Sequence, residues 1–166
     1  KFQNNKNITL VNKGLSDVGG CISLYAPEPG SIFSSIYKRR LDHFNVQFSK
    51  KEKVEMISFD SFYKTKLNNK VIDLLKLDVE GNELPALEGL SESIENIKII
   101  QFEFGGSNID SRTYLQDFYY FFNKHNFNIY RMRPYGLTIL NHYKENDEVF
   151  RYSNFLALNS KFYNKY

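Results

Sequence analysis

The fold of this chain is decided by residues 71–83, which read VIDLLKLDVEGNE. The first seven residues are almost continuously apolar, and such a run predicts a strand buried on both faces in a parallel sheet. The strand ends at Asp78-Val79-Glu80-Gly81, after which Asn82 can cap a helix over residues 83–90. Pro85 falls in the first turn of that helix, where a missing N–H group costs least. The stretch therefore predicts a strand–turn–helix unit.

The same alternation of strand and helix continues downstream. Residues 97–104 predict a second apolar strand, which ends at Glu103-Phe104-Gly105-Gly106. A helix should follow, with Ser111 as its cap and Asn126 as its stop. Its apolar side chains recur at the i, i+3, i+4 and i+7 positions (Leu115, Phe118, Tyr119 and Phe122).

Two more strands complete the predicted core. They cover residues 127–132 and 152–158, and Pro134-Tyr135-Gly136 turns the chain between them. The overall order is strand–helix–strand–helix–strand. This order predicts an α/β sheet with helices on both faces.

The part of the chain before residue 71 predicts shorter elements. The β-branched run Ile8-Thr9-Leu10-Val11 is typical of a strand. Residues 21–25 predict a strand that returns after the turn at Val18-Gly19-Gly20. Apolar residues between 54 and 57 indicate another strand, and Asp60 has the position of an N-cap for a short helix that reaches residue 67.

Composition limits the classes of protein to which the chain can belong. Its 166 residues carry 22 Lys and Arg against 19 Asp and Glu, a net charge of 22 − 19 = +3. Opposite charges are interspersed, so we expect no nucleic-acid partner. The single cysteine, Cys21, excludes an intramolecular disulfide framework. No stretch approaches the roughly 20 apolar residues that span a bilayer, and we expect a cytoplasmic protein without a membrane span.

The charged residues at the end of the first apolar strand form the strongest candidate site. Side chains alternate between the faces of a strand, so we expect Lys76, Asp78 and Glu80 to lie on one face. Open α/β sheets bind their ligands at the carboxyl ends of their strands. Lys76 can compensate the two carboxylates, and a pair with separated pKa values suits a general base. The alternative is an ion cluster that only neutralises itself.

The second apolar strand also ends in an acid. If the two strands are neighbours, Glu103 and Asp78 line the same crevice. Two carboxylates can hold a divalent cation, but the sequence offers no clear third ligand. Whether the site takes a metal therefore stays open.

Residues 76–83, KLDVEGNE, resemble the K-[IL]-D-x-E-G-x-E signature of the FkbM-family methyltransferases, which use S-adenosylmethionine. Further segments match the family in the same order along the chain: residues 12–17 (NKGLSD), 54–62, 100–105 (IQFEFG), 108–113 and 152–155. Each segment alone is weak. Their combination is specific and covers nearly the whole chain.

The resemblance implies a fold, an activity and a cofactor. The fold is the Rossmann-like class I methyltransferase sheet in three αβα layers, with strand order 3-2-1-4-5-7-6. The activity is methyl transfer from S-adenosylmethionine, usually to an oxygen of a sugar, glycan or related natural product. The family's glycine-rich loop and ribose-binding acid have no counterpart here and belong before Lys1. We therefore expect one FkbM-like domain over residues 1–166, truncated at its N-terminus and lacking the first two strands.

The resemblance also implies roles for individual residues. Ser16 and Asp17 would lie near the adenine of the cofactor, and Asp78 would lie close to the sulfonium methyl group. Three glutamates would rim the acceptor pocket (Glu80, Glu83 and Glu103). Of these acids, we expect Asp78 and Glu80 to be catalytic, accepting or orienting the proton of the acceptor hydroxyl.

Two other functions fit the same residues. Asp78-Val79-Glu80 could be the D-x-D-like site of a metal-dependent glycosyltransferase. The chain could instead be a non-catalytic interaction domain whose incomplete sheet is completed by another chain. The loop over residues 27–51 is expected to shape the acceptor pocket. In that loop, Arg39, Arg40 and His43 are candidates for contacting an acidic sugar or phosphate.

Overall fold

A computed structural model describes residues 5–163, which form two β-sheets and four short α-helices. The smaller sheet contains three strands: β1 (Gly14–Ser16), β2 (Gly20–Ala26) and β3 (Lys50–Ser58). β3 lies in the centre, parallel to β1 and antiparallel to β2. Strands were expected at residues 21–25 and 54–57, and both are confirmed.

The larger sheet has the strand order β4-β5-β8-β6-β7. These strands are β4 (Ile72–Leu77), β5 (Ile97–Phe104), β6 (Phe127–Arg133), β7 (Gly136–Ile139) and β8 (Ser153–Asn159). β4 and β5 are parallel, and β8 is antiparallel to both of its neighbours. The order β4-β5-β8-β6 is the one expected for strands 4, 5, 7 and 6. The mixed α/β class is confirmed, whereas the three-layer arrangement stays a prediction.

The helices are α1 (Phe59–Phe62), α2 (Glu83–Glu88), α3 (Gly106–Ser111) and α4 (Leu115–Lys124). A π-helical turn, Tyr63–Leu67, continues directly from α1. Helix α4 shows the predicted amphipathic spacing. Within residues 5–163, no helix has the length and apolar character needed to cross a membrane.

The core lies where α4 packs on the larger sheet. Phe102 of β5 is fully buried, and its ring stacks on Phe118 of α4 at 5.0 Å between ring centroids. Phe122 and Phe155 lie 5.1 and 5.3 Å from the same ring. Aromatic pairs at such distances add to the free energy gained from burial alone. The ring cluster therefore fixes α4 against the sheet beneath the candidate site.

Three local expectations before residue 71 are wrong. Residues 8–11 form no strand, because the chain finds a partner for its backbone only at β1, which pairs with residues 56–58. β1 and β2 do not form a hairpin with each other, since β3 lies between them. Asp60 does not cap its own helix, because Ser58 is the N-cap of α1. The Asp60 carboxylate instead accepts hydrogen bonds from residues 91–93.

The expectation that β4 is buried on both faces is also wrong. β4 is an edge strand, and among residues 5–163 its only strand partner is β5. Val71 and Leu74 are 50% and 54% exposed, despite the apolar sequence around them. The continuous apolar pattern predicted the strand correctly but not its position in the sheet, because position depends on which other strands pair with it.

Two elements downstream were not foreseen. Ser111 does not cap α4, because it ends the unpredicted helix α3. The N-cap of α4 is Tyr114, whose backbone N–H donates to Asp117 at 2.8 Å. Beyond the turn at residue 134, the chain forms β7, which pairs with β6 as a hairpin.

The smaller sheet is attached to the larger one through the start and end of α2. The side-chain amide of Asn82 donates to the backbone carbonyl of Leu15 at 2.7 Å, so its side chain does not cap the helix as expected. At the other end, a Cβ atom on Gly89 would lie 2.3 Å from the carbonyl oxygen of Ser16. Only glycine permits this approach, and it places β1 beside the candidate site.

Candidate active site

The acids predicted from the sequence lie at the carboxyl ends of β4 and β5. The register pairs Leu77 with Phe102, so the next residues, Asp78 and Glu103, lie side by side. Charged groups at this edge of parallel strands occupy the place where open α/β sheets bind ligands. The structure therefore brings together the two carboxylates that were expected to share a crevice.

Asp78 forms an ion pair with Lys76, two residues earlier on the same face of the strand. The hydrogen bond to Asp78 is the main reason that the pKa of Lys76 is raised. Both side chains are about half exposed. Asp78 thus lies at the surface of the crevice with a cation beside it, as the strand alternation predicted.

Glu103 is the acid whose ionisation is most perturbed. Burial raises its pKa to about 7, and the neighbouring charges of Asp78, Glu80 and Glu83 act in the same direction. A hydrogen bond with Asp78 acts in the same direction, because it favours the protonated form of Glu103. A carboxyl group with a pKa near 7 can both accept and release a proton at neutral pH.

Glu80 does not continue the alternation of β4. The strand ends at Leu77, and Glu80 adopts a positive φ of 50° in the following turn. Its carboxylate accepts a hydrogen bond from Arg39 at 2.9 Å, and Arg39 also contacts Asp110 at 3.3 Å. Burial raises the pKa of Glu80, Arg39 opposes this, and Asp78 adds to it. The expected partner of Glu80 was Lys76, and this expectation is wrong.

Glu83 was expected to rim an acceptor pocket, but it is buried. Its side chain is only 1% exposed, so it cannot face a ligand in this structure. The carboxylate accepts hydrogen bonds from the backbone N–H groups of Val79 and Gly81, both at 3.0 Å. Burial raises its pKa, and these hydrogen bonds oppose the shift. Glu83 therefore positions the turn that carries Glu80.

Gly81 is required in the same turn for a conformational reason. Its φ is +102°, a backbone conformation that residues with a side chain rarely adopt. A Cβ atom there would also lie 3.1 Å from the carbonyl oxygen of Ser107. The Glu-Gly pair of the sequence signature is thus explained by turn geometry.

A loop far away in sequence completes the site. The hydroxyl of Ser35 donates to the backbone carbonyl of Glu80 at 2.7 Å and accepts from the backbone N–H of Tyr37 at 3.1 Å. The Tyr37 hydroxyl donates to the side-chain amide oxygen of Asn82 at 3.4 Å. The sequence did not predict these contacts or the pairing of Arg39 with Glu80. The only available signal was that a buried carboxylate needs a cation, and that rule does not identify which one.

Ser16 and Asp17 lie at the end of β1, beside α2. The Ser16 hydroxyl donates to the Asp17 carboxylate at 2.9 Å. The negative charge of Asp17 contributes to the raised pKa values of Tyr37 and Glu88, although burial is the larger cause for both. Asp17 is exposed and remains open to a ligand on this side of the turn.

A cavity of about 340 Å³ separates the smaller sheet from the acidic turn. One wall carries Asp78, Glu80 and Asn82, and the other carries apolar residues of the smaller sheet and the loop after it (Leu15, Leu24, Ile36, Val54 and Met56). Ser16 and Asp17 are not part of its lining. The cavity therefore combines a negative wall with an apolar wall.

Metal coordination finds no support in the described part of the chain. No group of three or more His, Cys, Asp or Glu side chains in residues 5–163 is arranged to hold a metal ion. The carboxylates of Asp78 and Glu80 each already face a cation, Lys76 and Arg39 respectively. The D-x-D-like arrangement is thus divided between two separate ion pairs.

Fold and site together define a class: an α/β protein with an acidic crevice at the carboxyl edge of two adjacent parallel strands. The sequence pattern of the family described as "Methyltransferase FkbM domain" matches residues 1–129 of the 166. The chain belongs to this family, as the resemblance predicted, and it is a methyltransferase by family. Searches of curated proteins and of solved structures found no match.

The larger sheet extends beyond the matched residues. β8 begins at Ser153, yet it is hydrogen-bonded between β5 and β6. The residues after 129 therefore complete the same sheet that carries the acidic crevice.

Proposed function

We propose that the chain transfers a methyl group from S-adenosylmethionine to a hydroxyl oxygen of a sugar, glycan or related natural product. The observation that supports this most strongly is the Asp78–Glu103 pair at the end of β4 and β5, in which the pKa of Glu103 is about 7. The family match supports the reaction class. The single domain over residues 1–166 and the cytoplasmic location expected from the sequence are parts of this proposal.

The cavity beside the acidic turn has a chemistry that fits the cofactor. Asp78 stays about half exposed beside Lys76, so its carboxylate can also face the positive charge of a sulfonium, and the apolar wall suits a purine ring. We assign Asp78 to the sulfonium end. Ser16 and Asp17 directly follow Leu15 of the cavity wall without lining the cavity themselves, and we keep them at the adenine end, as the resemblance implies. When bound, S-adenosylmethionine supplies an electrophilic methyl group.

Glu103 and Asp78 are the proposed proton acceptors. A carboxylate oxygen of Glu103 would accept the proton as the O–H bond of the acceptor breaks, while a bond from oxygen to the methyl carbon would replace the bond from that carbon to the sulfur of the cofactor. Asp78, held by Lys76, lies beside Glu103, and its negative charge favours the protonated form of Glu103. The protein otherwise contributes alignment of the oxygen with the methyl group.

The remaining acids have supporting roles in this proposal. Arg39 holds Glu80 at the mouth of the cavity, where the Glu80 carboxylate can orient the acceptor hydroxyl. Glu83 fixes the turn through the backbone of Val79 and Gly81. Glu83 is thus a positioning residue, whereas Glu80 stays a candidate for contact with substrate.

The cofactor part of the proposal is tested by titrating the full chain with S-adenosylhomocysteine in a calorimeter. Binding of S-adenosylhomocysteine is the expected result, and Asp78→Asn should weaken S-adenosylmethionine more than S-adenosylhomocysteine, because only S-adenosylmethionine carries the sulfonium charge that Asp78 is proposed to face. A nucleoside diphosphate with manganese is the comparison ligand, because a glycosyltransferase would prefer it. Preference for that ligand, or no binding of S-adenosylhomocysteine, would overturn the proposal.

The chemical part is tested with radiolabelled S-adenosylmethionine and a panel of sugars and glycans. Glu103→Gln should lower the methyl-transfer rate by roughly 10²–10⁴-fold, the usual contribution of a general base, while S-adenosylhomocysteine binding persists. Glu52→Gln is the matched control, because Glu52 is exposed on β3. Equal rates in Glu103→Gln and Glu52→Gln would remove Glu103 from the mechanism.

One observation favours a second candidate, an interaction domain. The outer edge of β4 has no strand partner within residues 5–163, and Val71 and Leu74 are half exposed there. Such an edge can pair with a strand of another chain. A stable complex with another chain, together with no binding of S-adenosylhomocysteine, would favour this candidate over the enzyme.

A further inference from the structure

A second cavity lies beside the acidic crevice, and the family match assigns it no ligand. It has a volume of about 670 Å³ and lies between residues 38–44 and helix α3. We call it the basic cavity. Its size is within the range of small-molecule pockets, roughly 300–1,000 Å³. An adjoining cavity of about 470 Å³ shares part of its wall and extends to residues 46–48.

Positive charge dominates the walls of the basic cavity. Four cations face two acids, Asp42 and Asp110, an excess of 4 − 2 = +2 (the cations are Lys38, Arg39, Arg40 and Arg112). Arg39 is neutralised by Glu80 and Asp110. Throughout residues 5–163, no carboxylate lies within ion-pair distance of the three other cations. These exposed side chains are therefore available to an anionic ligand.

The basic wall is held in place by contacts with helix α3. The backbone N–H of Arg40 donates to the Asp110 carboxylate at 3.2 Å, and Arg39 contacts the same carboxylate. Leu41 is buried and forms a backbone bridge with Val46. Arg112 ends α3 at a positive φ of 56°, which is uncommon for a residue with a long side chain. Groups held in this way lose less freedom when a ligand binds.

The basic cavity also has an apolar part. Phe44 and Ile109 line it, although they are 69% and 60% exposed. The ring of His43 lies 4.3 Å from the ring of Phe44. An exposed aromatic ring beside unpaired cations suits a ligand that has both a carbon ring and an anionic group.

We propose that the basic cavity binds the anionic group of the methyl acceptor, a phosphate or carboxylate on a sugar ring. This inference rests on the proposed function. Arg39 connects the two sites, because it lines the basic cavity and holds Glu80 of the acidic crevice. The carboxylates of that crevice repel the acceptor's anion while the basic cavity attracts it. The acceptor is therefore held in one orientation.

The experiment titrates the full chain with glucose 6-phosphate, glucuronate, glucose and inorganic phosphate in a calorimeter. We expect at least one of the two anionic sugars to bind, with an affinity that falls as salt is added, and neutral glucose to bind far more weakly. Tighter binding of glucose 6-phosphate identifies a phosphate site, and tighter binding of glucuronate identifies a carboxylate site. Equal binding of glucose, or of inorganic phosphate, would overturn the proposal.

Variants locate the binding to the basic cavity. The double variant Arg40→Gln/Arg112→Gln should weaken the anionic sugar by about tenfold or more, because two charge-assisted contacts are lost. Lys124→Gln on α4 is the control, since it removes a positive charge that does not line the cavity. Wild-type affinity in the double variant would refute the assignment.

A separate measurement distinguishes this inference from the proposed function. S-adenosylhomocysteine should bind the double variant as it binds the wild type, because neither arginine lines the cavity beside Asp78. A chain that binds the anionic sugar but not S-adenosylhomocysteine would contradict the proposed function and leave the anion site standing. A chain that binds S-adenosylhomocysteine but no anionic sugar would contradict the anion site and leave the proposed function standing.

Discussion

Replacing Glu83 by alanine should destabilise the whole chain, although Glu83 lies in the signature of a catalytic site. Its carboxylate accepts two backbone hydrogen bonds of 3.0 Å, from Val79 and Gly81, inside the protein. Hydrogen bonds to charged groups contribute about 1.5–3 kcal/mol each to the free energy of unfolding. Burial of the carboxylate, seen in its raised pKa, offsets part of this gain. We therefore expect a net loss of about 2–4 kcal/mol.

The assay is urea unfolding at neutral pH, followed by far-ultraviolet circular dichroism because the chain has no tryptophan. With a denaturant slope of roughly 2 kcal/mol per molar urea, the midpoint should fall by about 1–2 M. Glu83→Gln should lie between wild type and Glu83→Ala, since one oxygen still accepts while the amide group faces a second donor. If Glu83→Ala does not fold, Glu83→Gln carries the test.

Glu88→Ala is the matched control, because Glu88 is an exposed acid on the same helix. It should leave the midpoint unchanged or raise it slightly, since a negative charge is unfavourable at a helix C-terminus. If Glu83→Ala unfolds at the midpoint of Glu88→Ala, the two backbone contacts do not stabilise the turn and the reasoning is refuted.

Three further changes test other parts of the structure. Glu103→Gln should melt at a higher temperature than wild type at about pH 8 and at the same temperature at about pH 4. The reason is that a pKa raised to about 7 in the folded state makes wild type lose stability as the pH rises from about 4.5 to 7. If variant and wild type have equal melting temperatures at both pH values, the raised pKa is contradicted. Gly89→Ala should cost about 1–3 kcal/mol, since its Cβ would meet the Ser16 carbonyl at 2.3 Å, whereas Gly19→Ala, whose nearest atom is 3.6 Å away, should unfold like wild type in urea. Phe102→Ala should cost about 3–5 kcal/mol in the same assay, and a loss no larger than that of exposed Tyr135→Ala would show that the ring cluster is not the core.

Local sequence patterns predicted four of the five strands of the larger sheet, all but β7, and the helix α4 that packs on it. The apolar run at residues 97–104 and the helical spacing after residue 115 each contain their own periodic signal. The run at residues 8–11 has equal β-propensity and forms no strand. A strand also needs a partner with the right register, and no local pattern identifies that partner.

In the candidate site, too, some pairings could be predicted from the sequence and others could not. Lys76 and Asp78 are two residues apart on a strand, so their pairing could be predicted from side-chain alternation. Arg39 and Glu80 are separated by 41 residues, and their pairing depends on how the loop after β2 folds back over the turn. The burial of Glu83 could not be predicted from the sequence either, because glutamate side chains are usually exposed.

By itself, the sequence determined the family, the two parallel strands and the identity of the acids at their ends. The family follows from the resemblance of short motifs, and the strands and their terminal acids follow from apolar periodicity and spacing over a few residues. Only the tertiary structure decided which acid has a pKa raised to about 7, which one holds a turn and which one pairs with Arg39. That assignment depends on burial and on charges brought together from distant segments, and these are the quantities that set the pKa of a carboxyl group.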